Sequence, residues 1–310
     1  MRRFKPLLFV IIPLLVALLV GYLLRNHNFQ VLNTRGVVGD KERQLMIYAT
    51  LLSLAVIIPV FVMTITIATK YNERNTKARY RPDWDHNTAL ETLWWGLPCA
   101  IILALAVLAW QSSHQLDPYK KLVSDKKPLK VQVIALDWKW LFIYPDQGIA
   151  TVNYLQIPTD TPVEFQITAD APMNSFWVPQ LGGQVYAMAG MSTQLSLMAT
   201  VPGLYNGSSA NISGKGFAGM KFLVNATDDN DFDTWVGSVR NASMLLNAET
   251  YNKLAQPSEY DQVAFYTVAQ SPYDKVVLKY MTPAMAGSQN VDYTGDDSAV
   301  RSIHGLEGHY

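Results

Sequence analysis

The sequence predicts an α+β membrane protein in which transmembrane helices are followed by a β-sandwich and a short helical extension. Three features of the chain predict this class. Nearly all long apolar runs lie before Trp110, and they are long enough to cross a membrane. Short alternating runs separated by Pro and Gly begin at Leu129, as in β-sandwiches and barrels. After Asp228 the apolar residues return to a helical spacing behind an acidic start.

The composition of the chain excludes several functional classes. Of its 310 residues, 25 are basic and 25 are acidic, whereas a general nucleic-acid-binding protein would carry a basic excess. The single cysteine, Cys99, cannot form an intrachain disulfide and cannot supply the paired thiolates of a zinc, iron–sulfur or dinuclear copper site. The low share of charged residues, 16%, argues against disorder. We therefore predict an ordered protein with no nucleic-acid partner.

The first 30 residues predict a membrane-targeting element. Residues 7–24 carry no charge and follow three basic residues, which fits either a cleaved signal sequence or a retained anchor helix. No small-x-small cleavage pattern stands out before Arg25. Both alternatives stay open, so we describe residues 1–30 as a signal sequence or an N-terminal anchor.

Residues 31–118 predict a transmembrane helical hairpin. Residues 45–69 and 92–116 contain no Asp, Glu, Lys or Arg, and each stretch can cross a hydrocarbon layer of roughly 30 Å as a helix. Pro59 and Pro98 lie inside these stretches, where membrane helices tolerate proline. With the basic start of the chain inside, three crossings place the C-terminal domain outside the membrane. Membrane lipid is therefore one predicted partner.

Residues 119–228 predict the β-domain. Its predicted strands are residues 130–136, 140–144, 162–168, 194–199 and 220–225. These short runs alternate between apolar and polar residues and are separated by turn residues, so a β-sandwich or barrel is expected.

Residues 229–283 predict a helical extension that is rich in aromatic side chains. One helix is predicted from residue 229 to about residue 240, with residues 229–233 as its acidic start and cap. A second helix is predicted over residues 248–255. Residues 284–310 are rich in Gly, Ser and Asp, which predicts a flexible tail.

Two segments of the β-domain resemble subunit II of the haem–copper oxidases. They are Met173-Asn-Ser-Phe-Trp-Val-Pro-Gln-Leu-Gly and Pro202-Gly-Leu-Tyr-Asn-Gly-Ser-Ser-Ala-Asn-Ile-Ser-Gly-Lys-Gly-Phe-Ala-Gly-Met220-Lys-Phe. The resemblance extends from about Val31 to Tyr266 and implies that the β-sandwich is cupredoxin-like. In the cytochrome c oxidase branch of that family, this domain holds a dinuclear copper centre through one His, two Cys, a Glu carbonyl, a second His and a Met.

Most of these ligands are replaced in this chain. The first His position is Asn174, the two Cys positions are Ser209 and Ser213, the Glu position is Asn211, the second His position is Phe217, and the Met position keeps Met220. Copper in such a site needs thiolate and imidazole ligands, and residues 119–300 contain no Cys and no His. The resemblance is therefore to the quinol oxidase branch, of the cytochrome bo type, and it implies a domain that binds no metal.

The resemblance to that branch also implies a function and partners. The complex would oxidise ubiquinol, reduce oxygen to water and move protons outward across the bacterial inner membrane. This chain would be a non-redox subunit, not catalytic alone, with its C-terminal domain in the periplasm. It would bind no cofactor, because the haems and the copper are expected in subunit I. The expected partners are subunit I and subunits III and IV.

Glu91 is the residue predicted to take part in proton transfer. By composition alone, a carboxylate at the edge of a membrane helix is more often an ordinary solvated residue. The resemblance changes this interpretation, because the Glu at this position in the family marks the cytoplasmic mouth of a proton pathway into subunit I. We therefore predict that Glu91 gathers protons at that entrance.

An aromatic cluster lies where the copper-bearing relatives accept electrons. Its members are Trp138, Trp140, Phe142 and Tyr144. Without copper in the domain nothing would receive the electrons, so we interpret the cluster as strand core and subunit contact.

Two other functions agree with parts of the sequence. A cytochrome c oxidase subunit II would need the His and Cys ligands that are replaced at Asn174, Ser209, Ser213 and Phe217. A membrane-tethered, non-catalytic binding module of cupredoxin-like fold is the second alternative, since a fold alone does not fix a function. Such a module would have no reason to keep Glu91.

Overall fold

The computed structural model describes residues 19, 22, 29–72, 75–76, 85–241, 244–259 and 262–281. Nearly all of the predicted N-terminal element and all of the predicted tail lie outside these ranges. The chain divides into two units, one of Met1–Leu32 with Arg43–Gln115 and one of Asn33–Glu42 with Leu116–Tyr310.

The two apolar stretches predicted to cross the membrane are α-helices. Helix α1 covers Val37–Lys70 and helix α2 covers Thr88–Gln115. Their most apolar windows have mean hydropathies of 2.6 and 2.1, and no residue in those windows is buried by the chain itself. Large apolar surfaces that a protein leaves uncovered mark contacts with a membrane or a partner. Both helices therefore have the composition and the exposure of membrane spans.

Residues 33–42, which include the start of α1, pack against the β-domain. Three hydrogen bonds fix them there: Arg35 N–H to Gln180 O at 2.7 Å, Gly39 N–H to Leu181 O at 2.8 Å, and Gly183 N–H to Glu42 Oε1 at 2.9 Å. The backbone at Gly36 lies very close to the backbone of the β-domain, because a Cβ atom on Gly36 would lie 2.7 Å from Met198 O. Residues 33–42 therefore belong with the β-domain in space, although their sequence pattern groups them with the predicted hairpin.

The β-domain is a sandwich of two sheets. Its strands are β1 Leu129–Leu136, β2 Lys139–Tyr144, β3 Ile149–Val152, β4 Tyr154–Pro158, β5 Val163–Ala169, β6 Asn174–Trp177, β7 Val185–Ala187, β8 Thr193–Leu197, β9 Gly203–Ser209, β10 Lys221–Thr227 and β11 Ala264–Thr267. The first sheet has the order β11-β3-β2-β1-β5-β8 and the second has the order β4-β10-β9-β6-β7. The pairs β1–β5 and β4–β10 are parallel, and the other pairs are antiparallel.

All five predicted strands are confirmed as β1, β2, β5, β8 and β10. The other six strands were missed because they are short or carry turn residues. For example, β9 contains two glycines and an asparagine. One residue, Asn153, separates β3 from β4, and its left-handed backbone with φ of 54° turns the chain from one sheet into the other.

Aromatic rings fill the space between the two sheets. Phe176 and Phe222 are stacked with their ring centroids 5.2 Å apart, and Trp140 meets Phe176 edge-on at 5.5 Å. Phe142 contacts both phenylalanines, at 6.3 and 5.1 Å. Offset and edge-on pairs of this kind add about 0.5–1.5 kcal/mol each to the stabilisation that burial provides. This interior is the first of two hydrophobic cores.

The last two helices of the C-terminal extension form a third layer over the first sheet, whereas its first helix packs into the core between the sheets. The extension consists of α3 Asp229–Arg240, α4 Ala248–Leu254, strand β11 and α5 Tyr273–Tyr280. The two predicted helices are confirmed, but α3 is capped by Asp228, whose Oδ1 accepts a hydrogen bond from Asp231 N–H at 2.8 Å, and not by a residue within 229–233. The extension is also not purely helical, because β11 pairs with β3 and lengthens the first sheet.

A second core lies between the first sheet and the extension. Side chains of β1, β2 and β3 pack there against α4, β11 and α5. Its buried members include Leu141 and Ile143 from β2, and Tyr251, Tyr273 and Val277 from the extension. Strand β2 is therefore covered on both faces, by the second sheet and by the extension.

One buried carboxylate joins the extension to the sandwich. Asp170, directly after β5, accepts hydrogen bonds from Tyr251 OH at 2.8 Å, Lys279 Nζ at 2.7 Å and Tyr280 OH at 2.6 Å. Only 3% of the Asp170 side chain is exposed. Burial alone would raise the pKa of this carboxyl, but the hydrogen bonds from Lys279, Tyr280 and Tyr251 together hold it below its ordinary value. The native fold therefore favours the charged form of Asp170.

We expect Asp170→Asn to destabilise the β-domain by about 1–3 kcal/mol, because three donors lose a charged acceptor. Since the pKa of Asp170 is lowered by folding, its contribution is complete above about pH 5 and decreases as the pH falls below about 4. Thermal unfolding of the purified full-length protein at several pH values measures both effects. Glu249→Gln is the matched control, because its ion pair with Lys253 is exposed and contributes about 0.5 kcal/mol or less. Equal destabilisation by both variants would contradict this account.

Candidate functional site

The positions that correspond to the copper ligands converge at one end of the sandwich. Asn174 begins β6, Ser209 ends the neighbouring strand β9, and Met220 precedes β10. Ser209 Oγ donates a hydrogen bond to Asn174 Oδ1 at 3.0 Å and also lies 3.3 Å from Asn211 O. Ser209 N–H donates to Met220 O at 3.2 Å. The fold thus brings together four positions that are separated by up to 46 residues in the sequence.

Three of the polar side chains at this end, Asn174, Ser209 and Asn211, are hydrogen-bonded to neutral partners. Asn174 and Ser209 are buried, and Asn174 Nδ2 donates to Pro172 O at 2.7 Å. Asn211 Nδ2 donates to Met173 O at 2.9 Å. Through these bonds, the side-chain amides and the hydroxyl contact the loops around them. The cluster therefore holds the loops in place through hydrogen bonds.

Ser213 and Phe217 lie on the loop between β9 and β10. Ser213 O accepts a hydrogen bond from Trp138 Nε1–H at 3.3 Å, and Phe217 begins a short 3-10 turn, Phe217–Gly219. The indole of Trp138 covers this loop so closely that a Cβ atom on Gly216 would lie 2.4 Å from Trp138 Cδ2. Trp138 therefore packs on the loop that would carry the copper ligands.

The predicted aromatic cluster is divided by the structure. Trp140, Phe142 and Tyr144 are fully buried between the sheets, whereas Trp138 is half-buried on the turn between β1 and β2. Trp138 has a left-handed backbone with φ of 63°, which bulky residues rarely adopt. Tyr144 OH donates to Gln156 O at 2.9 Å, and burial raises the pKa of this phenol. These contacts fit the interpretation of the cluster as strand core, and its predicted contact with another subunit stays a prediction.

Glu91 lies in the first turn of α2, close to the cap of that helix. Asn87 Oδ1 accepts a hydrogen bond from Leu90 N–H at 3.0 Å and caps the helix. Glu91 Oε1 accepts from Asn87 N–H at 3.3 Å and lies 2.7 Å from His86 Nδ1. The Glu91 carboxylate is therefore folded back onto the residues that precede the helix. The sequence analysis missed His86 as its partner, although the spacing of five residues was visible.

The described residues contain no cluster of potential metal ligands. Within them, no three side chains of His, Cys, Asp or Glu come close enough to share an ion. The described histidines, His86 and His114, lie at opposite ends of α2, and His27, His304 and His309 fall outside the described ranges. Asn174 and Glu91 each lie in a small polar cluster of the described part of the chain: the Asn174–Ser209 network and the His86–Glu91 pair.

Comparison with known proteins identifies relatives along the whole chain. The family described as "Cytochrome C oxidase subunit II, periplasmic domain" matches residues 148–227, and the family described as "COX Aromatic Rich Motif" matches residues 240–284. The chain is 49% identical to the cytochrome bo(3) ubiquinol oxidase subunit 2 of Pseudomonas putida, over 99% of this chain and 99% of that protein. It is 48% identical to the ubiquinol oxidase subunit 2 of Acetobacter aceti, over 83% of this chain and 85% of that protein.

A solved structure matches the β-domain at lower similarity. It is the periplasmic domain of subunit II of the cytochrome oxidase of Bradyrhizobium japonicum, with 21% identity and a TM-score of 0.36. The match covers 38% of this chain and 96% of that structure.

We expect Met220, the retained ligand position, to act through its volume. It is fully buried in the core between the sheets. Met220→Leu should therefore cost less than about 1.5 kcal/mol, because volume and polarity are conserved. Met220→Ala should cost about 2–5 kcal/mol, because it leaves a cavity. Thermal unfolding of the full-length protein compares the two variants, with the exposed Met173→Ala as the control. If Met220→Leu is as damaging as Met220→Ala, the sulfur atom itself is required.

Proposed function

The chain belongs to the subunit 2 family of the ubiquinol oxidases. We propose that it is a structural subunit of the complex that binds no copper, and that it provides the entrance of a proton pathway. The chain is a subunit of a quinol-oxidising respiratory complex in the inner membrane, and its C-terminal domain is periplasmic. Family membership favours this function over a free-standing binding module. We assign the haems and the copper to subunit I, and we propose subunits III and IV as further partners.

The residues at the copper-ligand positions differ in chemistry from copper ligands. A dinuclear copper centre requires soft thiolate and imidazole ligands. The corresponding positions carry amide, hydroxyl and phenyl groups, and the buried amide and hydroxyl of Asn174 and Ser209 are already hydrogen-bonded to each other. The thioether of Met220 is the one soft group left at these positions. These residues do not fit the copper centre, so we propose that no electron passes through this chain.

The copper content of the complex tests this proposal. If Met220 binds no metal, Met220→Leu leaves the ratio of copper to haem in the purified complex unchanged. The ratio is measured by metal analysis and by the optical spectrum of complex that is purified through a tag on this chain. A lower ratio in the variant would identify Met220 as a ligand and would contradict the proposal. Expression of this chain without subunit I provides the control, because that sample should retain no copper after desalting.

The position of Glu91 supports its role in proton entry. The domain that follows α2 is periplasmic, so the start of this membrane helix faces the cytoplasm. The Glu91 side chain is 35% exposed there, so it is within reach of cytoplasmic water. An ionisable residue at the edge of a membrane helix is a reasonable candidate for a proton pathway. The single observation that carries the proposal is this partly exposed carboxylate at the cytoplasmic end of a membrane helix.

We expect Glu91→Ala and Glu91→Gln to slow quinol-driven oxygen consumption by about tenfold, less than the 10²–10⁴-fold that an acid or base at the reacting atoms supplies. The loss follows because neither side chain can accept and release a proton. Turnover is measured on the purified complex, with haem content confirming assembly. Glu249→Ala, in the exposed helix α4, is the matched control and should keep full turnover. Unchanged turnover in both Glu91 variants would remove Glu91 from the proton pathway.

A further inference from the structure

We infer that His86 collects protons from cytoplasmic water and passes them to the Glu91 carboxylate. The inference deepens the proposed function and rests on the role of Glu91 as the proton entrance. It assigns to His86 a part in proton uptake that the sequence analysis did not consider.

The first observation is the contact between the two side chains. His86 Nδ1 lies 2.7 Å from Glu91 Oε1, a separation typical of a charge-assisted hydrogen bond. Because a carboxylate oxygen is an acceptor, the imidazole must present a hydrogen on Nδ1. The other ring nitrogen, Nε2, lies 3.2 Å from Thr88 Oγ1. The Thr88 hydroxyl can donate to Nε2 or accept from it, so the same geometry suits both the neutral and the charged ring.

The second observation is the difference in exposure. The His86 side chain is 65% exposed and the Glu91 side chain is 35% exposed. Water therefore reaches the imidazole more freely than the carboxylate. In water at pH 7, a free imidazole carries a second proton about one quarter of the time, and a free glutamate is protonated about once in 500. Histidine is thus the better collector, and the contact of 2.7 Å gives its proton a short path to the carboxylate.

The transfer consists of two proton movements. A hydronium ion gives its proton to Nε2, which makes the ring an imidazolium and leaves water. The Nδ1 proton then moves to Glu91 Oε1, so that the glutamate becomes a neutral acid and the ring keeps its hydrogen on Nε2. The exposed ring returns to its first tautomer by proton exchange with water. One proton has then passed from water to Glu91, without any change in oxidation state.

The helix cap keeps this pair in place, and Glu91 takes part in it by accepting a hydrogen bond from Asn87 N–H at 3.3 Å. Asn87 supplies the capping oxygen through its side chain, so neither His86 nor Glu91 is needed for that bond. Apart from Glu91, the charged side chain next to His86 in the described part of the chain is Asp85, on the same segment.

The test is His86→Gln in the intact, purified complex. We expect turnover to fall about threefold, less than the loss from removing an acid or base at the reacting atoms. The deficit should grow between about pH 6 and pH 9, because hydronium becomes scarcer and its collection limits the rate. The KM for quinol should not change. In a His86→Ala complex, added imidazole buffer should restore part of the turnover, as expected if the missing group carries protons.

Matched variants separate proton collection from a structural effect. His114→Gln makes the same substitution at the other end of α2, where Nδ1 lies 2.8 Å from Trp110 O, and it should leave turnover unchanged. Asn87→Ala weakens the helix cap while keeping both titratable groups, so any loss should be equal at every pH. A pH-independent deficit in His86→Gln without rescue by imidazole would overturn the inference.

The double variant distinguishes this inference from the proposed function. If His86 acts through Glu91, His86→Gln with Glu91→Gln is no slower than Glu91→Gln alone. Full turnover in the His86 variants together with slow Glu91 variants would reject His86 and keep Glu91. Full turnover in the Glu91 variants would reject both.

Discussion

The burial of strand β2 on both faces is the constraint on which the β-domain depends. All six residues of β2 are buried, and alternate side chains point to opposite sides of the sheet. Trp140 and Phe142 pack against the second sheet, and Leu141 and Ile143 pack against the extension. Each such side chain stabilises the fold by about 1.5–3 kcal/mol when it is removed from water. The extension is therefore a structural layer, because a simple two-sheet sandwich would expose half of this strand.

The end of the sandwich that carries Asn174, Ser209 and Met220 is held by hydrogen bonds. Asn174 and Ser209 join β6 to β9, and Trp138 covers the loop that follows. A metal centre would connect the same strands through its ligands. In this chain, neutral hydrogen bonds and the packing of an indole ring connect them at the same places.

The structural contacts and the titratable pair of the proposed function lie in different parts of the chain. The periplasmic β-domain is stabilised by packing and by the hydrogen bonds of the buried Asp170 carboxylate. The titratable pair that faces water lies instead at the cytoplasmic start of a membrane helix, where His86 and Glu91 meet. In the proposed function, proton entry requires contact with water on the cytoplasmic side, and no electron passes through this chain.

The sequence by itself determined the features that depend on local pattern. Uncharged apolar runs identified α1 and α2, alternation identified five strands, and the residue types at the ligand positions predicted a domain without copper. Only the tertiary structure decided which distant residues meet. Asp170 contacts Tyr251 and Lys279, which are 81 and 109 residues away, and the polar strand β9 is a strand because its neighbours pair with it. Such contacts depend on how the sheets and the extension pack, and that packing cannot be predicted from the periodicity along the chain.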